Sequence, residues 1–146
     1  MLDRHSGVFL LDDGTRIGPT TTREEFLREP LGARAERGQS WEAQGQRWSS
    51  YVLHDCISER FAWRLHLKFR DERLFTIDLC PQEDDGKGWE SWSYEAEMGK
   101  VRAYDAVAER WVGPAPRKFA WGWVSTAFDP RGGGGYFTIR YEIQSE

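Results

Sequence analysis

His66 and Asp78 are the residues of this chain whose types and placement first suggest chemistry. A carboxylate beside an imidazole orients the ring and raises its pKa, which is how a general base is tuned. Their meeting depends on strand alternation. Phe61, Trp63, Leu65, Leu67 and Phe69 alternate with Ala62, Arg64, His66, Lys68 and Arg70, the period of a half-buried strand. Phe75, Ile77 and Leu79 repeat the pattern after Asp71-Glu72-Arg73. A three-residue turn there sets Phe69 opposite Phe75, Leu67 opposite Ile77 and Leu65 opposite Leu79, with both apolar rows on one side. The same register makes His66 and Asp78 cross-strand neighbours on the polar side, with Arg64, Lys68 and Arg70 beside them. A solvated cross-strand charge pair accounts for these residues more simply than catalysis. No nucleophile stands at a suggestive spacing, so no catalytic residue is assigned.

Other chemistry-bearing groups are sparser. His54 and Cys56 flank Asp55 and would share a strand face, but no full ligand shell accompanies them, so no metal or cofactor is expected. Cys56 and Cys80 read as buried free thiols in strands. Asp129-Pro130-Arg131 and the glycines that follow lack the Lys-Ser/Thr ending of a phosphate loop and read as a hairpin connection. Gly122, between Trp121 and Trp123, marks a close backbone approach. Glu83, Asp84 and Asp85, followed by Trp89 and Trp92, combine acids with aromatics in an aperiodic segment, the composition of a protein-binding loop.

The elements that must carry these residues follow from pattern. Val8–Leu11 and Thr15–Ile17 form a hairpin about Asp12-Asp13-Gly14. Thr22 and Glu25 make a capping box that opens a short helix, limited by Pro30. The polar stretch 32–48 reads as a long surface connection anchored on the core by Trp41 and Trp48, and 51–57 as a strand. Tyr94, Met98, Val101, Asp105, Ala108 and Val112 form a helical stripe stopped by Gly113-Pro114. Phe119, Trp121 and Trp123 share one side of a final hairpin with Phe137, Ile139, Tyr141 and Ile143. The fold class is therefore α+β: a single, mostly antiparallel sheet in the order β-β-α-β-β-β-α-β-β, with two helices packed on one face. No linker or repeat divides residues 1–146, which read as a single domain.

Composition sets the outer bounds. A chain of 146 residues is long enough to bury a core without disulfides or metal. An aromatic content of 14% argues against disorder, and a net charge of −4 against binding to nucleic acid, which needs a basic stripe. No apolar run reaches the length of a membrane span, and the first residues lack a signal-peptide pattern, so a cytoplasmic protein is expected.

Trp121-Gly122-Trp123-Val124-Ser125, Asp129-Pro130-Arg131-Gly132-Gly133 and Thr138-Ile139-Arg140-Tyr141 resemble the C-terminal hairpin of small bacterial proteins of unassigned function. Ile17-Gly18-Pro19 and Thr21-Thr22-Arg23-Glu24-Glu25-Phe26-Leu27 resemble their N-terminal part. Such proteins look like the immunity proteins that protect bacteria from polymorphic toxins. The resemblance rests on turns, caps and core aromatics and implies no functional residue. The first expectation is thus a non-catalytic binding protein, an immunity protein or inhibitor that neutralises a toxin through Glu83, Asp84, Asp85, Trp89 and Trp92. The second is a small-molecule-binding protein or enzyme with a sheet–helix cavity around His66, Asp78, Arg64 and Lys68. The third is a homodimer or interaction subunit paired through a sheet edge or the Trp-rich hairpin.

Overall fold

The computed structural model describes residues 1–82 and 93–142. It is mixed α and β and mostly sheet. A small antiparallel hairpin pairs β1 (Phe9–Leu10) with β2 (Arg16–Ile17). The helices α1 (Arg23–Arg28) and α2 (Pro30–Ala33) follow, then the strands β3 (Glu36–Ala43), β4 (Gln46–Ser58), β5 (Phe61–Arg70) and β6 (Arg73–Pro81). The long helix α3 (Tyr94–Val112) precedes β7 (Lys118–Phe119), β8 (Gly122–Asp129) and β9 (Gly134–Tyr141). The larger sheet is antiparallel throughout, in the order β3-β4-β5-β6-β9-β8-β7. Among the described residues no helix is long and apolar enough to cross a membrane.

Capping fixes the helix starts. Thr22 accepts the Glu25 amide at α1, and Ser93 accepts the Ala96 amide at α3. Pro30 ends α1 and opens α2, because a proline at the first helical position forfeits no hydrogen bond. All three helices of the described residues lie on one face of the large sheet. Phe26 of α1 meets Tyr51 and Phe69, and Leu31 of α2 joins the same core. Tyr104 and Trp111 of α3 pack on Phe137, and Trp111 also touches Trp63 and Phe9 of β1. One contiguous core results, running from Leu2 to Tyr141. Among the described residues the other face of the sheet carries no helix.

Several expectations are corrected. Residues 32–48 are α2, β3 and the start of β4, not a surface connection. β3 is an edge strand exposed at every position, so it offers no alternation to read. Trp41 and Trp48 stack on each other, interplanar angle 4°, instead of anchoring on the core. The β5–β6 register holds at Leu65–Leu79, His66–Asp78 and Leu67–Ile77, but the turn has two residues. Arg70 pairs with Arg73 and Phe69 with Leu74, and a β-bulge absorbs the extra residue at Phe75. Leu74 takes the core position and Phe75 turns to the helix-free face.

Candidate functional site on the helix-free face of the sheet

Antiparallel pairing lines up side chains across the strands, and two rows cross the middle of the helix-free face. The first runs Val52, His66, Asp78, Thr138, Ser125. The second runs Ser50, Lys68, Thr76, Arg140, Trp123. Alternation puts Leu65, Leu67, Ile77 and Ile139 on the other side, in the core. The polar rows are therefore the obligatory reverse of the apolar ones. They border a concavity of about 650 Å³, rimmed by Trp41 and Trp48 on one flank and Trp123 and Tyr136 on the other.

Arg140 is the best-positioned cation of this face. Its guanidinium lies 4.7 Å from the ring centres of both Phe75 and Trp123, a double cation–π clamp. Arg70 lies on the same Phe75 ring at 4.4 Å, and Trp48 meets that ring edge-on at 5.3 Å. The Phe75 bulge thus builds the site. Trp123 reaches the face because Gly122, at φ 150°, breaks the alternation that would hold it beside the buried Trp121. A Cβ on Gly122 would fall 1.9 Å from the Arg140 carbonyl oxygen, so the expected close backbone approach is real. Arg140 Nη2 lies 3.5 Å from Glu142 Oε2, while its Nε and the neighbouring Thr76 Oγ1 are buried with no hydrogen-bond partner among the described residues.

His66 and Asp78 sit opposite each other, yet they form no ion pair among the described residues. Thr138 Oγ1 donates to Asp78 Oδ1 at 2.5 Å instead. Burial lowers the His66 pKa below the ordinary imidazole value; Asp78 opposes the shift and Lys68 adds to it. The expected upward tuning of the ring is thus reversed. Lys68 and Asp78 line the concavity, whereas Arg64 stands farther along β5 and donates to Cys80 Sγ at 3.2 Å. Cys80 is only partly buried, unlike Cys56. All four residues expected to form a polar site share the helix-free face, and the concavity that Lys68 and Asp78 line there is not between sheet and helices. Glu83, Asp84, Asp85, Trp89 and Trp92 lie outside the described residues.

The remaining candidates resolve into structure. A bulge at Asp55, φ 53°, separates His54 from Cys56. His54 faces Glu36 at 3.4 Å, while Cys56 enters the core, where burial pushes its thiol up to about 11. Among the described residues no three His, Cys, Asp or Glu side chains converge as for a metal ion. The glycine run serves packing: a Cβ at Gly135 would meet Val101 Cγ2 of α3 at 2.8 Å, and Glu97 Oε2 accepts the Gly135 amide. Arg117, 5% exposed, is satisfied by Asp105 and the Gly113 carbonyl.

Arg140, Thr138 and Tyr136 were implicit in the sequence, as the alternates of Phe137, Ile139 and Tyr141. Trp41, Trp48, Phe75 and Trp123 were not, because an edge strand, a bulge and a glycine decide which way they point. Compared with protein-family models, curated proteins and solved structures, the chain matches none.

Proposed function

We propose that this chain is a non-catalytic binding protein that takes a small ligand on the helix-free face of its sheet. The observation that carries this reading is the concavity of about 650 Å³, edged by tryptophans, with Lys68, Asp78 and Arg140 converging on it. Ligand sites are of this size, mostly apolar, with a few placed polar groups. Asp78 is engaged by Thr138 and makes no ion pair with His66 among the described residues, which favours binding over proton transfer. A fragment library screened by chemical-shift mapping tests this. Shifts should concentrate on Trp123, Thr138 and Arg140, and Trp123→Ala should weaken binding at least about tenfold without loss of fold. Shifts confined to other surfaces would end the reading.

A second reading, a cytoplasmic inhibitor of a bacterial toxin, is favoured by Trp41. It is 37% exposed and stacked on Trp48 at the edge of the sheet, the kind of aromatic anchor that protein interfaces use. A stoichiometric protein retained through purification from the native host, and lost in Trp41→Ala, would favour it over the first.

A further inference from the structure

We infer that the ligand of the helix-free face is a small organic anion, its carboxylate or phosphate held by Lys68 and Arg140 and its flat body laid on the neighbouring tryptophans. This rests on the binding role proposed above and narrows it to one ligand chemistry. The charged groups lining the concavity are Lys68, Arg140 and Asp78, and Asp78 already accepts the Thr138 hydroxyl. With Arg70 on the Phe75 ring and Glu142 beside Arg140 counted as well, three cations stand against two carboxylates here, in a chain whose net charge is −4. Pairing sets Lys68, Thr76 and Arg140 side by side on three adjacent strands, which are about 4.8 Å apart in any sheet. Lys68 and Arg140 flank Thr76 and have side chains long enough to converge on one oxyanion above it.

The state of the donors points the same way. Among the described residues Arg140 Nε and Thr76 Oγ1 are buried with no hydrogen-bond partner, an arrangement that an incoming acceptor relieves. The Phe75 and Trp123 rings fix the guanidinium plane before any ligand arrives, so little side-chain entropy is lost on binding. Glu142 Oε2, 3.5 Å from Nη2, is the internal carboxylate that the anion replaces. The stacked pair Trp41 and Trp48 offers a flat apolar wall on the opposite flank. An aromatic acid or aryl phosphate satisfies both halves of the site; a neutral aromatic satisfies one.

Quenching of tryptophan emission in the full chain, titrated with 1-naphthoate, 1-naphthyl phosphate and the neutral 1-naphthalenemethanol, tests this. Both anions should bind at least about tenfold tighter than the alcohol, and the tighter of the two identifies the oxyanion. Lys68→Gln and Arg140→Gln should each weaken the anions about tenfold and leave the alcohol unchanged. Glu142→Gln, which removes the internal competitor, should tighten them. If Arg140→Gln does not fold, Lys68→Gln and Glu142→Gln decide the matter. Equal binding of the three probes, insensitive to Lys68→Gln but lost in Trp123→Ala, would overturn the anion while leaving the binding face in place. Absence of binding by all three probes would overturn both.

Discussion

A histidine on a sheet face is commonly read through its charged neighbours, but at His66 burial outweighs them. Its folded pKa lies below the ordinary value, with burial as the first cause, Asp78 opposing and Lys68 reinforcing. The unfolded chain therefore takes up a proton near pH 6.5, about where free imidazole titrates, before the folded chain does. The contribution to stability is constant above that pH. It declines as the pH falls from there towards the folded pKa. In urea unfolding at about pH 7.5 and 5.5, His66→Gln should lose less stability between the two pH values than the parent protein. An equal loss in both proteins would mean that His66 is not the group responsible. The sequence placed His66 beside Asp78 correctly, since strand register is a matter of pattern. It did not show that Thr138, from a strand sixty residues downstream, would occupy the carboxylate.

At the scale of elements, strands with a clean period of two were legible and those that depart from it were not. β5 and β6 carry alternating apolar residues; β3 carries none that is buried, because an edge strand with both faces exposed has no burial to record. The bulge at Phe75 and the glycine at 122 hide in the same way. Each inserts a local break that moves one aromatic from the core side to the site. Gly122 is the more rigid of these devices. An alanine there would place its Cβ against the Arg140 backbone at a φ that side chains rarely adopt, and backbone cannot swing aside. Gly122→Ala should cost at least about 2 kcal/mol in denaturant unfolding. Gly135→Ala meets the end of the Val101 side chain and should cost less. The reverse ranking would show that the β8 backbone is not held where the site needs it. Gly122→Ala should also dislodge Trp123 and weaken ligand binding even where the fold survives.

Across the whole molecule, one sheet serves two purposes: its helix face holds the core and its bare face holds the candidate site. The two ends of the described chain meet on the core side. Tyr141 donates its hydroxyl to the Gly7 carbonyl at 2.7 Å, and Trp121 Nε1 donates to the Arg4 carbonyl at 2.9 Å. Burial drives the Tyr141 pKa upward, so the hydroxyl stays protonated and remains a donor. Phe9 of the small hairpin packs edge-on against Trp111, and both belong to the contiguous core. A structure tied together in this way is expected to unfold as one unit. Tyr141→Phe keeps the ring and strands the Gly7 carbonyl, which should cost about 1–3 kcal/mol. Far-UV circular dichroism and tryptophan fluorescence should report the same shifted midpoint, and amide exchange in the small hairpin should quicken in proportion to the global loss. Faster exchange in that hairpin with an unchanged global midpoint would instead mean that β1 and β2 open independently of the large sheet. The candidate site would then be supported by the seven-stranded sheet and α3 alone.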